Sequence, residues 1–382
     1  MLFKTLISTL LLLLVACDNR QGASAGFSGT PDEPAELYIH HRPDHIPDGL
    51  LAAFEKETGI KIHHDLFDTQ EELDARLANQ QTGYDIVVPA ASFTKAQISK
   101  GLFLPLDKAQ APGLAQLDGG VMAAIAQADP GNRHLVPWTW SFTTVGINRA
   151  QVTSALAGQP LPANIWELVF NPAYTRKLKG CGIAYRNSAP DILPAALHYL
   201  GLNPYSDTSA DYQTAARMLA QVRPDIGKFT SSVIDELSEK RACVVIGWAS
   251  EINRAADRVR EGGAAERIEA LLPGNGVLAF FDTLAIPADA PHPNNAHKFI
   301  EFVQRPENAA LLVADLGYST GSVAARKLVK ADVANNPSVF LPENHAGKII
   351  PLRQLSGDAA DAAEQVFATL RSGVSSPGAK AP

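Results

Sequence analysis

One stretch places an aromatic ring and a carboxylate where both can hold a cation. Residues 243–251 read CVVIGWASE, and the β-branched run predicts a buried strand that ends at Gly247. Trp248 follows at once and Glu251 lies three residues later. The face of an indole ring and a carboxylate both attract an organic ammonium ion. The alternative is a core tryptophan beside a glutamate that caps a helix.

A second carboxylate lies inside an apolar stretch. Residues 277–285 read VLAFFDTLA, which is apolar apart from Asp282 and Thr283. A carboxylate in an apolar strand is costly unless it is paired. Asp282 is therefore either a ligand-binding group or a hydrogen-bonded structural residue, and this stretch alone leaves both open.

The sequence lacks the motifs of common enzyme classes. It has no HExxH, no P-loop and no GxGxxG after a strand. The pairs His40-His41 and His63-His64 lie in strand-like segments, where adjacent side chains point to opposite faces and chelate one metal ion poorly. We expect these histidines at the surface or in loops, and we expect no catalysis, metal or other cofactor.

The first predicted elements alternate between strands and helices. Strands are predicted at 36–41, 60–62 and 84–89, and helices at 47–58 and 70–79. This order implies a parallel sheet with right-handed crossovers, and such sheets bind ligands beyond the carboxyl ends of their strands. The candidate binding loops there hold Arg42, Pro43, Asp44, Ser92 and Phe93.

The remaining chain predicts a second lobe and a crossing between lobes. Residues 136–148 are aromatic and β-branched and predict a crossing strand. Helices are predicted at 166–170, 192–201, 211–222, 230–240, 252–262, 296–303 and 306–316, and mostly from 332 onward. With 382 residues and 46% hydrophobic content, the chain can form two lobes. The net charge of −7 disfavours nucleic acid as a partner and permits a cationic ligand.

The N-terminus has the features of an export signal. Lys4 precedes an apolar run at 6–15, and Ala16 and Cys17 follow it. This resembles the bacterial lipobox and predicts a lipoprotein signal peptide over 1–16 with Cys17 as the lipidated residue. Asp18 resembles the signal that retains lipoproteins in the inner membrane. The alternative is an ordinary signal peptide with an incidental cysteine.

Composition predicts a flexible tether over 17–35 and a disordered tail over 373–382. Beyond Cys17 only Cys181 and Cys243 remain, and two thiols in an exported chain favour a disulfide. The alternative is a pair of buried free thiols.

These segments together resemble the periplasmic polyamine-binding proteins of bacterial ABC importers, and the putrescine-binding type most closely. The likeness runs from about residue 37 to about residue 342. It rests on FEKETGIKI at 54–62, GYDIVVPAASF at 83–93, PLDK at 105–108, CG at 181–182, HYLG at 198–201, CVVIGWA at 243–249 and AFFDTLAIPADA at 279–290.

The resemblance implies an α/β fold of the type II periplasmic binding protein class, with two discontinuous lobes that close by a hinge. Lobe 1 is expected at 36–142 and 279–328, and lobe 2 at 143–278 and 329–372. It places the family's disulfide on Cys181 and Cys243. The ligand positions that carry over are the rings Trp248, Phe280 and Tyr318, the carboxylates Asp191, Glu251 and Asp282, and also Asp44 and Ser92.

One position departs from the family. Arg42 and Pro43 stand where the family has Trp-Ser, so a ring and a hydroxyl are replaced by a fixed positive charge. In the cleft, Arg42 would repel a diamine or bind a ligand carboxylate. The alternatives are that it turns to solvent or pairs with Asp44, Asp191 or Glu251.

The sequence therefore predicts a monomeric, lipid-anchored periplasmic protein at the inner membrane. It captures a polyamine such as putrescine or spermidine for an ABC permease. One alternative keeps the fold and binds a carboxylated amine, such as an ω-amino acid, through Arg42. Another is a polyamine-sensing partner of a membrane receptor.

Overall fold

The computed structural model describes residues 33–43 and 45–373. Cys17, the signal peptide, nearly all of the tether, Asp44 and the predicted tail from 374 lie outside the described residues. From Ala35 onward the chain packs as one unit. Within the described part, no helix combines the length and the hydropathy that a membrane crossing requires.

The strands and helices follow the order of an α/β protein. The strands are β1 Glu36–His41, β2 Lys61–Leu66, β3 Ile86–Val87, β4 Val136–Asn148, β5 Ile183–Arg186, β6 Lys228–Thr230, β7 Val244–Trp248, β8 Ile268–Ala270, β9 Val277–Leu284 and β10 Ile349–Pro351. The helices are α1 Asp48–Thr58, α2 Gln70–Ala78, α3 Ala91–Ser99, α4 Gly119–Ile125, α5 Arg149–Ala155, α6 Glu167–Phe170, α7 Pro172–Leu178, α8 Ala189–Tyr199, α9 Ser209–Val222, α10 Val233–Ser238, α11 Ala249–Glu261, α12 Pro293–Gln304, α13 Pro306–Leu316, α14 Ala331–Ala334 and α15 Gly357–Ser372.

The first sheet is parallel, with the strand order β2-β1-β3. Gly59 ends α1 in the left-handed conformation at φ 71°, as the predicted helix stop requires. Strand β3 is shorter than the predicted 84–89. The late start of β3 follows from the Asp85 side chain. Its carboxylate accepts the backbone N–H of Tyr38 at 2.8 Å and that of His292 at 2.5 Å.

The second sheet has the order β10-β9-β4-β7-β5-β6, with β8 also paired to β4. Strand β4 is buried along its whole length. Its first part pairs antiparallel with β9, and its second part, from Thr143, pairs antiparallel with β7. The predicted crossing strand therefore brings β9 and β7, which carry candidate site residues, to the two edges of one strand.

Two of the hydrophobic cores each combine two separate parts of the chain. One core combines buried residues between Leu37 and Trp138 with residues between Leu284 and Leu316. Another combines residues between Val145 and Leu278 with residues between Ala359 and Leu370. This division is compatible with two discontinuous lobes, and the exact lobe boundaries stay a prediction.

Three predicted elements differ in the structure. Residues 230–240 were predicted as one helix, but Thr230 ends β6 and α10 begins only at Val233. The region from 332 is less helical than predicted, because β10 pairs there with β9. Gly247 does not end its strand, since β7 continues through Trp248 and pairs Gly247 with Thr144 of β4.

Gly247 is needed for a close approach of β7 to α10. A Cβ atom at this position would lie 2.8 Å from Cγ1 of Val233, which is fully buried. We expect Gly247→Ala to lower the free energy of unfolding by about 1–3 kcal/mol, because the stiff valine cannot move away. Urea unfolding measures the change. Gly274→Ala, where a Cβ would meet nothing within 4 Å, is the control. Equal losses in both variants would contradict the packing argument.

Candidate functional site

The candidate site is built on β9 and β7, the two strands that pair with opposite edges of β4. Asp282 and Phe280 lie on β9, and Trp248 is the last residue of β7. Glu251 and Asp191 lie in the first turns of α11 and α8, where the helix dipole favours negative charge. Trp248, Glu251 and Asp191 thus lie at a strand end or a helix start, as expected for a binding site in an α/β sheet, whereas Phe280 and Asp282 lie within β9.

The first ion-pair cluster consists of Asp282, Arg42 and His45. Nη2 of Arg42 lies 3.0 Å from both Asp282 oxygens, and Nε2 of His45 lies 3.1 Å from Oδ2. The Asp282 side chain is only 2% exposed, whereas Arg42 is 26% exposed. Burial opposes ionisation of Asp282, but His45 and Arg42 outweigh it and leave its pKa lowered. Asp282 is therefore a buried anion held by the chain's own cation.

The second ion-pair cluster consists of Arg186, Glu251 and Asp191. Nη1 of Arg186 donates to Oε1 of Glu251 at 2.5 Å. Nε of Arg186 lies 3.1 Å from Oδ2 of Asp191, but without hydrogen-bond alignment. Oδ1 of Asp191 accepts from Thr143 at 2.6 Å and from the indole N–H of Trp248 at 2.9 Å. Burial raises the pKa of Glu251, and Arg186 limits the rise.

Trp248 belongs to this second cluster through its ring and its backbone. The guanidinium of Arg186 lies over the indole ring, 3.5 Å from its centroid. The backbone N–H of Trp248 donates to Oε2 of Glu251 at 3.3 Å, so Glu251 also caps the start of α11. Glu251 therefore caps a helix, as the alternative interpretation of the CVVIGWASE stretch predicts, and it also pairs with Arg186. Binding of a ligand ammonium group by Trp248 and Glu251 stays a prediction.

Three aromatic rings connect the two clusters. The centroids of Trp248 and Phe280 lie 4.6 Å apart, and Phe280 meets Tyr318 edge-on at 6.4 Å. Tyr318 reaches the first cluster, with its ring 5.8 Å from that of His45. Burial and the Asp282 charge raise the pKa of Tyr318 to about 12, so its hydroxyl is neutral at physiological pH. The site is a continuous row of charged cluster, rings and charged cluster.

Comparison with known proteins identifies the family. Residues 49–340 match the model of the bacterial extracellular solute-binding proteins. The chain is 36% identical over 323 residues to the putrescine-binding periplasmic protein PotF of Escherichia coli K12, covering 84% of this chain and 87% of that protein. The chain belongs to this family. The predicted resemblance to the periplasmic polyamine-binding proteins is confirmed, and these relatives are binding proteins rather than enzymes.

Two further relatives extend the match. The putrescine-binding periplasmic protein SpuD of Pseudomonas aeruginosa is 34% identical over 373 residues, covering 97% of this chain and all of that protein. A crystal structure of the substrate-binding protein PotD of a Streptococcus pneumoniae spermidine/putrescine ABC transporter has a TM-score of 0.76 at 20% identity, covering 88% of this chain and 99% of that one. The latter likeness confirms the type II fold.

The structure brings most of the predicted ligand residues together. Asp191, Trp248, Glu251, Phe280, Tyr318, Asp282 and Arg42 lie in the row described above. Arg42 pairs with Asp282, which is none of the three partners named from the sequence. Ser92 instead lines a neighbouring cavity of about 860 Å³ with Phe280, Lys95 and Arg353. Asp44 lies outside the described residues. These assignments as ligand positions stay predictions.

Arg186 is the site residue that sequence reasoning missed. It ends β5, and β5 pairs in parallel with β7, which ends at Trp248. A cation at the carboxyl end of a parallel strand is a signal that could have found it. The resemblance could not, because it transfers only positions that the family uses for its ligand.

Cys181 and Cys243 form a disulfide, with their Cα atoms 5.5 Å apart. Cys181 precedes β5 and Cys243 precedes β7. The bond therefore ties the starts of the two strands whose ends carry Arg186 and Trp248.

The predicted surface location of two histidines is wrong. His40 and His41 are buried, because β1 is the central strand of the first sheet. His40 stacks on Tyr84 at 4.4 Å, and Nε2 of His41 lies 3.0 Å from Nδ1 of His64. Throughout 33–43 and 45–373, no group of three or more metal-ligating side chains is positioned to hold a metal ion.

Acidification is expected to destabilise the protein through His41. Burial lowers the pKa of His41 to about 4, whereas an unfolded imidazole titrates near 6.5. The unfolded state therefore binds more protons between these values, and stability falls as the pH drops from 6.5 toward 4, by up to about 3 kcal/mol. Urea unfolding at pH 7.5, 6.0 and 5.0 measures the slope. His41→Gln should flatten it, and an unchanged slope in that variant would exclude His41 as the cause.

Proposed function

We propose that this protein captures an aliphatic amine of the polyamine class in the periplasm and delivers it to an inner-membrane ABC permease. One observation carries the proposal: carboxylates stand at both ends of the row formed by Trp248, Phe280 and Tyr318. The names of the two putrescine-binding relatives support the same ligand class.

The chemistry of the row suits such a ligand. Methylene groups of an amine pack against aromatic faces, which also attract a neighbouring cation. Carboxylates bind ammonium groups through charge-assisted hydrogen bonds. Tyr318 interacts electrostatically with both clusters, because the charges of Asp282 and Glu251 both raise the pKa of its hydroxyl. A ligand that lies along the rings would therefore reach charged groups at each end.

A second candidate is a carboxylated amine, such as an ω-amino acid. The position of Arg42 favours it, since its guanidinium enters the site and does not turn to solvent. Arginine is well suited to bind a ligand carboxylate.

Calorimetric titration tests the proposal. The purified protein is unfolded and refolded with its disulfide intact, which removes ligand carried over from the host. It is then titrated with putrescine, spermidine and 4-aminobutanoate. We expect at least one of these amines to bind with a micromolar or lower Kd. No binding by any of them would overturn the ligand class.

We further propose that Cys17 carries a lipid anchor that holds the protein at the inner membrane. The sequence around Cys17 supports this. In a bacterial host, the native chain should incorporate labelled fatty acid and sediment with membranes, because a diacylated cysteine anchors strongly. Cys17→Ser should lose the label and appear in the soluble fraction. A variant that still carries the label would exclude Cys17 as the acylated residue.

A further inference from the structure

Most carboxylate oxygens of the described site residues already accept a hydrogen bond from the chain. The Asp282 oxygens are held by Arg42 and His45. Oδ1 of Asp191 accepts from Thr143 and Trp248, whereas Oδ2 lies 3.1 Å from Nε of Arg186 without hydrogen-bond alignment. The Glu251 oxygens accept from Arg186 and from the backbone of Trp248. A ligand with two ammonium groups would therefore have to compete with Arg42 at one end of the row and with Arg186 at the other.

The buried unsatisfied groups among the described site residues are donors. Nε of Arg42 and Nε of Arg186 are buried and have no aligned hydrogen-bond acceptor among the described residues. A buried donor without an acceptor costs free energy, and a guanidinium has no acceptor of its own. A diamine has only N–H donors to offer, so it cannot accept a hydrogen bond from a guanidinium. An oxygen atom of a ligand can.

The charges of the two clusters differ. Among the described residues Arg42 faces one carboxylate, Asp282, so the charges of this pair cancel. Arg186 faces two carboxylates, so the second cluster keeps one negative charge. Within the second cluster Glu251 is the more exposed acid, at 16% against 6% for Asp191. Each Glu251 oxygen accepts one hydrogen bond and has room for another.

From these contacts we propose that the site prefers an amine with one ammonium group and an oxygen acceptor, either amide or carboxylate, at its other end. The ammonium binds at Glu251, the methylene chain lies along the rings, and the oxygen acceptor binds the guanidinium of Arg42, whose side chain is 26% exposed. Arg186 takes the place of a second ammonium, between Asp191 and Glu251 and over Trp248. This inference rests on the proposed function and narrows its ligand class.

A matched series of four-carbon amines tests the inference. Putrescine has two ammonium groups, N-acetylputrescine has one ammonium and an amide, 4-aminobutanoate has one ammonium and a carboxylate, and butylamine has one ammonium alone. We expect 4-aminobutanoate or N-acetylputrescine to bind at least about tenfold more tightly than both putrescine and butylamine, because a charge-assisted hydrogen bond is gained. Calorimetry on the refolded protein measures all four.

Variants of Arg42 locate the acceptor subsite. Arg42→Gln removes the charge and Nε. It should reduce the preference for the acceptor-bearing ligands over putrescine by about tenfold or more. Arg42→Lys keeps the charge but loses the planar guanidinium group. It should weaken the binding of N-acetylputrescine, the amide ligand, and still disfavour the binding of putrescine. Arg305→Gln, an exposed arginine that pairs with Glu57, is the control and should change nothing. Melting curves establish that each variant folds. The ligand series is measured on the native protein, so its result does not depend on whether the variants fold.

The outcomes separate the two proposals. Putrescine binding as tightly as the single-ammonium ligands, or more tightly, would overturn the inference and leave the proposed function standing. A preference for the acceptor-bearing ligands that Arg42→Gln leaves intact would also overturn it, because the acceptor would then bind elsewhere. No binding by any of the four amines or by spermidine would overturn the proposed function and, with it, the inference.

Discussion

Glu251→Gln is expected to weaken the binding of every amine ligand by on the order of 100-fold. The substitution keeps the shape of the side chain and its acceptor for the backbone N–H of Trp248, which lies 3.3 Å from Oε2. It removes the negative charge that Arg186 leaves unpaired in the second cluster. An ammonium group would then meet a cluster without net charge, where its desolvation is no longer compensated.

Glu261→Gln is the matched control for this variant. Glu261 is an exposed residue at the other end of the same helix, α11. It should bind amines as the native protein does. Calorimetric titration gives the Kd values, and thermal unfolding shows whether Glu251→Gln remains folded. If Glu251→Gln binds its best amine as tightly as the native protein, the second cluster is not the ammonium site.

Removal of the disulfide is expected to cause a large loss of stability. Cys181 and Cys243 are separated by 62 positions, and the chain-entropy model gives about 4 kcal/mol for a loop of that size. The double variant Cys181→Ser, Cys243→Ser should therefore melt about 10 °C below the native protein. The unfolded chain without this link gains conformational freedom, which is the physical reason for the loss.

A reductant provides the internal control for this prediction. Under reducing conditions the native protein should melt near the temperature of the double variant, while the double variant itself should not respond. Circular dichroism in the far ultraviolet records both transitions. Equal melting temperatures for the native protein and the double variant without reductant would show that the bond adds little to stability.

Much of the fold could be predicted because local patterns and tertiary structure agree. The strand β1 and the helix stop at Gly59 follow from the apolar pattern and from glycine's left-handed conformation. The short β3 could not be predicted, because the Asp85 side chain takes a backbone N–H from a neighbouring strand. Gly247 was misinterpreted because it allows close packing against Val233, which a sequence pattern does not reveal.

The sequence named the acidic and aromatic residues that the candidate site contains. It did not show which cations of the chain pair with those acids. The resemblance supplied Trp248, Glu251 and Asp282 by position. It could not show that Arg42 would pair with Asp282, since these residues lie 240 positions apart. Arg186 had no counterpart among the transferred positions, so the near-neutral character of the site became visible only when the strands β5 and β7 were placed side by side.

A crystal structure of the refolded protein with its tightest amine ligand tests the central claim most directly. We predict that the methylene chain lies along Trp248, Phe280 and Tyr318, with an ammonium nitrogen within hydrogen-bond distance of Glu251. A ligand bound instead in the neighbouring cavity beside Lys95 and Arg353, away from Trp248 and Tyr318, would contradict the account.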